Sequence, residues 1–371
     1  MKKICIIGGG FGGLSAAIRL SRSGLAAECV LIDKKATSDF LPTLPDCLGR
    51  GISPDCLAYK IEDICKKTGF KFIEEEVAAV DTEKREISTG NSRLNYDYLI
   101  IASGSETNFY GNENIRKCAY KLDDVADAEN IIKKLKENDY RTYVIGGGGY
   151  TGVEVATNLR IFLNKSKRSG RIAVVERAPS ILGPIPEWMK GYVSSNLRRL
   201  NVDIFINSQI ERIEERKVHI SGGKVFDDAI VIWAAGVKTA GFIQDLNVKK
   251  NPQGRVEVDE YLRLSESCFV IGDAAYIKHK EMFLRMAVQF SIAQGNCAAQ
   301  NVISSIKGKP LRKYRPVDLG YIIPMANNRS CGSVLGVNLK GLLPTAFHFI
   351  MCIYRSWSWK KRFCIVKRLL T

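Results

Sequence analysis

A glycine-rich turn set between an apolar strand and an amphipathic helix occurs twice in this 371-residue chain, and no other feature restricts its fold so tightly. In the first copy Ile4, Cys5, Ile6 and Ile7 run into Gly8-Gly9-Gly10-Phe11-Gly12-Gly13, and an amphipathic segment follows to Leu20. Gly8, Gly10 and Gly13 have the spacing at which the first glycine makes the turn, the second admits a pyrophosphate against the backbone and the third packs helix on strand. The helix then offers free N–H groups and a positive dipole end to phosphate. The next apolar run, residues 29–32, ends in Asp33, where a carboxylate can bind a ribose hydroxyl.

The second copy begins with an apolar strand over residues 141–145 and enters Gly146-Gly147-Gly148-Gly149-Tyr150-Thr151-Gly152. Gly147, Gly149 and Gly152 repeat the spacing, and the strand over residues 172–175 ends in Glu176, again at the ribose-binding distance. Two such units imply two dinucleotides and an α/β fold with two Rossmann-like domains.

Between the copies, Phe40-Leu41-Pro42-Thr43-Leu44-Pro45 is excluded from a regular helix by its prolines, and reads as a loop able to lie across a cofactor. Residues 70–80, 86–89 and 96–101 read as strands, the last ending in Ala102-Ser103-Gly104-Ser105, and residues 122–138 read as a helix. Later strands over 229–233 and 268–271 run into Ala234-Ala235-Gly236 and Gly272-Asp273-Ala274-Ala275, small residues suited to lie beneath a ligand. Asp273 precedes a helical pattern over about 283–306, where its carboxylate serves either as a helix cap or as an acceptor for a ribityl chain.

Length makes two domains the expectation, and 46% hydrophobic residues exclude a disordered chain. The eleven cysteines include no C-x-x-C pair, so neither a disulfide framework nor a metal site is expected. Met1-Lys2-Lys3 runs directly into the first strand, which reads as a chain without a secretory leader, beginning in the cytoplasm. The net charge of +16 suits an anionic partner, but no nucleic-acid-binding motif accompanies it. Its excess gathers at the C-terminus, where eleven Lys or Arg from Leu311 to Thr371 meet the single acid Asp318.

Taken together, Gly8 to Gly13, Tyr96 to Gly104, Gly147 to Glu154 and Phe269 to Asp273 resemble the two-dinucleotide flavoprotein oxidoreductases. Within them, Thr151-Gly152-Val153-Glu154, the loop at Phe40-Leu41-Pro42, the Ala287-Val288-Gln289 segment and the basic aromatic tail resemble type II NADH dehydrogenases. The resemblance implies a discontinuous FAD domain (1–110 and 245–310), an inserted NADH domain (111–244) and a membrane-docking region (311–371). It implies non-covalent FAD on Gly8, Gly10, Phe11, Gly12, Gly13, Asp33, Lys34, Ala102, Gly104, Gly272 and Asp273. NADH would lie on Gly147, Gly149, Tyr150, Thr151, Gly152, Glu154, Glu176, Ala235 and Gly236. Similar proteins carry a glutamate at the place of Glu154, facing nicotinamide and flavin, where it adjusts charge; an acid in a first helical turn is favoured by the dipole in any case. Hydride transfer belongs to the cofactors, and the resemblance implies that electrons pass to a membrane quinone without proton pumping.

The family's second glutamine, four residues beyond Gln289, is replaced here by Ala293, with Gln294 turned away by about 100°. A quinone mouth built on this helix keeps one amide. Glu176 favours NADH over NADPH by repelling a 2′-phosphate, though Arg177 lies beside it. Two other functions share the fingerprints: a soluble NADH-dependent reductase of a small redox protein, and a non-enzymatic flavoprotein controlled by bound nucleotide.

From about Leu342 onward the tail reads as an anchor on the cytoplasmic face of the cell membrane. Phe347, Ile350, Met351 and Tyr354 fall at helical spacing, and Trp359, Phe363, Val366 and Leu370 line a second helix opposite Lys360, Lys361, Lys367 and Arg368. The uncharged run from Gly341 to Tyr354 is shorter than the ~20 apolar residues a span needs. The same pattern would serve a homodimer interface or packing on the protein's own core.

Overall fold

The computed structural model describes residues 1–279 and 282–370. It forms two compact units: Met1–Ser38, Tyr59–Glu106 and Val237–Asp318 make the first, and Asp39–Ala58, Thr107–Gly236 and Leu319–Thr371 the second. The sequence reading set boundaries near 110, 245 and 310.

The first unit is built on a five-stranded parallel sheet in the order Cys268–Val270, Tyr98–Ile101, Lys2–Ile7, Ala27–Asp33, Lys71–Glu74. Ile4, Ile6, Leu31, Ile32 and Ile100 are fully buried, as expected of parallel strands covered on both faces. Register is in step: Ile7 pairs with Ile32 on one side and Ile101 on the other, so the ends of three strands reach the glycine turn together. Helix Phe11–Ser21 leaves that turn and packs against helix Val288–Ile306. The two approach closely at glycines, since a Cβ on Gly295 would stand 2.3 Å from the Gly12 carbonyl oxygen. The long helix begins at Val288 rather than near 283; Met282–Phe283 are extended and pair with Lys278–His279.

The second unit repeats the plan, with the parallel order Tyr120–Lys121, Ala229–Trp233, Thr142–Gly146, Arg171–Val175, Val202–Phe205. Helix Tyr150–Lys165 follows its glycine turn and sets Val153, Ala156, Leu159 and Leu163 into a core with Ile145, Val174, Met189 and Leu197. Each Val, Leu, Ile or Met among them contributes roughly 1.5–3 kcal/mol on burial. The Phe40–Pro45 stretch is folded into this unit as a 3-10 turn over Leu41–Thr43 ahead of the short helix Asp46–Gly49, with Phe40, Thr43 and Leu44 buried.

The C-terminal segment contains more than the expected helices. Gly320–Ile323, Ser330–Val334 and Val337–Gly341 form a three-stranded antiparallel sheet whose last turn places Leu335 and Gly336 at positive φ. Helices Leu342–Arg355 and Trp359–Leu370 follow. The first buries Phe349 and Cys352 and leaves Leu343, Phe347, Ile350 and Tyr354 exposed. In the second Ile365 is buried while Trp359 and Phe363 are 81% and 70% exposed. Lys361 departs from a free basic face, because its ammonium donates to the Asp55 carbonyl. The side chains of Arg368 and Leu370 lie outside the described residues. Among the described residues no helix is long and apolar enough to cross a membrane.

The expectation of a chain without disulfides is corrected: Cys56 is bonded to Cys364, their Cα atoms 6.0 Å apart across 308 residues of sequence. Sequence spacing carries no sign of it, since the pairing depends on the tail helix returning to the turn at Pro54–Cys56.

Candidate functional site

Both glycine turns are closed by the same contacts. Gly8 has φ +104, and a Cβ there would meet the Ala102 carbonyl at 2.2 Å; Gly147 has φ +107, with the Ala234 carbonyl at 2.5 Å. Neither position accepts a side chain. A Cβ on Gly13 would stand 1.9 Å from the Gly8 oxygen and one on Gly152 2.0 Å from the Gly147 oxygen, which fixes the third glycine of each fingerprint. Gly10 and Gly149, the N-caps of the two helices, have nothing within 4 Å, so an open cradle lies at each helix N-terminus. Phe11 and Tyr150 open these helices, and Tyr150 lies edge-on to Tyr321. A pyrophosphate fits there on steric and dipolar grounds.

The two acids at the strand ends also correspond. Asp33 accepts from the Gly9 amide at 2.6 Å and the Lys35 amide at 2.9 Å. Glu176 accepts from the Gly148 amide at 2.7 Å and the Ala178 amide at 2.7 Å. Each carboxylate is thereby locked against its turn with lone pairs left for ribose hydroxyls. Burial pushes Asp33 above the usual carboxylate range, against the pull of the Gly9 and Lys35 amides.

Beside Asp33 lies a cavity of about 470 Å³ lined by Gly8, Lys34, Val77, Ser103, Gly241 and Phe242. Lys34 is ion-paired with Glu76 at 3.0 Å. Gly104 takes φ +68 just beyond. Elsewhere in this unit the Asp273 carboxylate accepts from the Ser105 hydroxyl at 3.0 Å, and Gly272 donates its amide to the Gln294 Oε1 at 2.6 Å. Burial raises Asp273, offset by Ser105 and by the cation of Arg255. Gln294 is thus a buried support of the Gly272 turn. Gln289 donates to Asp318 Oδ1 at 3.1 Å, and Arg285 also binds Asp318. Ala293 lines a different, basic cavity with Arg19, Arg312 and Arg315.

Beside Glu176 lies a cavity of about 730 Å³ lined by Gly147, Arg177, Ser208, Trp233, Ala235 and Tyr110. Tyr110 is a participant no motif announces: its hydroxyl donates to the Ala235 carbonyl at 2.9 Å, it carries Arg177 over its ring at 5.8 Å, and it stands 2.3 Å from where a Cβ on Gly236 would be. Thr151 is exposed on the first turn of the helix and Glu154 is half-buried on the next. Burial holds Glu154 well above the usual carboxylate range, and neighbouring Asp46 adds to it. Asp46 and its partners Arg50 and Asn158 were also not legible as site residues, since no local pattern marks them.

Two phosphate-cradling turns, each at the carboxyl ends of a parallel sheet and each backed by an acid, define a nucleotide-binding α/β oxidoreductase. The chain belongs to the pyridine nucleotide-disulphide oxidoreductase family, whose model matches residues 2–298. It is 25% identical to the demethylphylloquinone reductase NdbB of Synechocystis, over 100% of this chain and 96% of that one. It is also 25% identical to the type II NADH:quinone oxidoreductase of Staphylococcus saprophyticus, over 92% and 91%. In fold it is similar to NDH2 from Plasmodium falciparum, solved in complex with NADH, with a TM-score of 0.87 at 20% identity, covering 100% and 97% of the two chains.

Proposed function

We propose that this enzyme is a type II NADH:quinone oxidoreductase, and the observation that carries the reading is the duplicated, acid-locked glycine turn. The first unit holds FAD, with Gly8, Gly10, Phe11, Gly12 and Gly13 at the pyrophosphate, Asp33 and Lys34 at the ribose, Ala102 and Gly104 beneath the ligand and Gly272-Asp273 at the ribityl chain. The second binds NADH through Gly147, Gly149, Tyr150, Thr151, Gly152 and Glu176, with Ala235 and Gly236 flanking it. The open Gly10 and Gly149 cradles, which a Cβ would begin to fill, support both assignments. Flavin, when bound, supplies the conversion of a hydride into electrons for a quinone. The chain's own residues bind, orient and adjust charge, Glu154 above all. Gln289 lies on the helix that would border the quinone.

The relatives whose names specify quinones align with this chain over almost its whole length, which favours a quinone over a small redox protein as acceptor. Leu343, Phe347, Ile350, Tyr354, Trp359 and Phe363 give the tail an exposed apolar surface beside exposed Lys360 and Lys367, suited to an anionic bilayer on the cytoplasmic side.

Stopped-flow mixing with NADH tests the redox reading: the flavin absorbance bleaches and returns on addition of a quinone. Bleaching that only a soluble redox protein reverses, or no bleaching, overturns it. Ile350→Glu with Phe363→Glu tests the docking surface. The variant is expected to keep its melting temperature, since both side chains are exposed, and to lose co-sedimentation with anionic liposomes. Undiminished co-sedimentation refutes the anchor.

A further inference from the structure

Two adjoining cavities of the first unit run beside helix Val288–Ile306, and no glycine-turn residue lines either of them. The larger, about 660 Å³, is bordered by Arg19, Arg312, Lys313 and Arg315, and the smaller, about 230 Å³, by Arg19, Arg22, Lys307 and Lys309. Every charged residue on these walls is a cation. The cavities at the two strand-end acids differ in this respect, since Asp33 and Glu76 border one and Glu176 and Glu211 the other. Compensation by nearby acids is thin. Lys313 is ion-paired with Glu260 at 2.8 Å, but Arg19 donates to the neutral Gln300 Oε1 at 2.6 Å, and neither Arg312 nor Arg315 has an ion pair among the described residues.

The walls are held in place by the main chain. Asn301, fully buried in the long helix, accepts from the Arg312 amide at 2.8 Å and donates Nδ2 to the Arg312 carbonyl at 3.0 Å. Two residues on, the Tyr314 amide donates to the Glu260 carbonyl at 2.7 Å. Arg22 and Lys307 cap the C-termini of their helices and Arg19 lies in a last turn, places where a helix dipole favours a cation. Arg312, Lys313 and Arg315 belong to no helix, so no dipole accounts for them. The cavities also have a direction. Ala293, Cys297, Gln300, Ser304 and Lys307 recur at four- and three-residue intervals along the walls, so the cations follow one face of the helix for about 21 Å at 1.5 Å per residue.

We propose that this cationic groove is a binding site for a linear polyphosphate, either the free polymer or the phosphate chain of a nucleotide. A single phosphate would engage one end of the groove, whereas a chain carries negative charge along all of it, and guanidinium forks pair with phosphate oxygens two at a time. Nucleic acid fits less well, because unpaired bases need open aromatic faces and Tyr314, the aromatic residue on these walls, is half-buried. A bilayer would call for exposed large apolar side chains among the cations, and Ile303 on these walls is buried. A bound chain relieves repulsion between cations on facing walls and ties the end of helix Phe11–Ser21 to the 312–315 segment, which stabilises the folded first unit.

The test is calorimetric titration of the full-length protein with sodium tripolyphosphate in metal-free buffer, and none of its readouts depends on the redox reaction. Tripolyphosphate is expected to bind roughly tenfold more tightly than orthophosphate at equal ionic strength and to raise the Tm. Arg312→Gln with Arg315→Gln should weaken tripolyphosphate roughly tenfold and leave the Tm of the unliganded protein unchanged, since both side chains are exposed. Arg19→Gln, on the other wall, should also weaken binding, and reports if the double variant does not fold. Lys133→Gln with Lys136→Gln removes the same charge from an exposed face of helix Val125–Glu137 and should leave the affinity as it is. Displacement of tripolyphosphate by ATP but not by adenosine identifies a nucleotide as a source of the chain, and no displacement by ATP leaves the free polymer; either result sustains the site. Equal affinity for orthophosphate, equal weakening by the Lys133 and Lys136 substitutions, or unaltered affinity in the arginine variants overturns it. So does binding of phosphatidylglycerol vesicles through these arginines in a protein that takes up no tripolyphosphate.

Discussion

The two glycine turns are built alike and covered differently. Position for position, Gly12 of the first corresponds to Thr151 of the second, and Ser15 to Glu154. Gly12 and Ser15 are buried because helix Val288–Ile306 lies on them, meeting the first-turn backbone at Gly295. Thr151 is exposed and Glu154 only half-buried. A helix covered beyond its cradle suits a ligand that stays for the life of the protein, and an exposed one suits a ligand that enters and leaves with each turnover. On the assignment proposed above, the same local geometry would serve a resident cofactor or a substrate according to what packs on the next helical turn.

The severest way to break this comparison is to spoil the third glycine in each copy. Gly13→Ala and Gly152→Ala each drive a methyl into a carbonyl oxygen of their own turn, which costs about 1–3 kcal/mol or more in displaced backbone. Gly13→Ala is expected to be purified with little flavin. Gly152→Ala should retain flavin and bind NADH about 100-fold more weakly, as read by stopped-flow bleaching. Equal flavin loss in both would show that the two cradles do not have separate occupants.

A smaller effect distinguishes the acids. Glu176→Gln keeps the shape and removes the charge that repels a 2′-phosphate, so the ratio of kcat/KM for NADPH to that for NADH should rise roughly tenfold. Arg177 is then free to attract the extra phosphate. An unchanged ratio would mean that Glu176 serves only to lock the Gly148 amide.

The smallest effect is on the pH dependence of folding. Burial raises Asp33 in the folded protein above its unfolded value, so its contribution is fully present below the ordinary carboxylate range and is lost as pH rises through the folded value. Asp33→Asn should flatten that decline in Tm between acidic and neutral pH, while losing some stability from the Gly9 and Lys35 contacts. A decline in Tm as steep in the Asp33→Asn variant as in the unmodified protein would show that burial of Asp33 has no energetic consequence.

Much of this was legible in the sequence because it is local. Strand, glycine spacing, helix and terminal acid lie within about thirty residues in each copy, and steric demands at Gly8, Gly13, Gly147 and Gly152 leave no other residue type able to stand there. What stayed illegible depends on distant segments. Asp46 meets Asn158, 112 residues away, only when its short helix settles on helix Tyr150–Lys165. The Cys56–Cys364 bond and the support of Gly272 by Gln294 have the same character. The tail sheet was hidden for another reason: its hairpin turns at Leu335-Gly336, with leucine in a left-handed conformation that asparagine or aspartate ordinarily announces.

The interleaving of the two units also dictates the order in which a ribosome can complete them. All five strands of the second sheet lie between Tyr120 and Trp233 in sequence, whereas the first sheet lacks its edge strand until Cys268–Val270 has been made, and its glycine-turn helix stays uncovered until Val288–Ile306 emerges. The apolar strands of the first sheet must therefore wait while the strands of the second, begun more than a hundred residues later, are completed ahead of them, although Ile323, Met325 and Cys331 close the core of that second unit only later. On the proposed assignment, flavin loading at the first turn would follow the emergence of Val288–Ile306, and a nascent chain stalled near residue 240 would carry a complete second sheet and an unfinished first one.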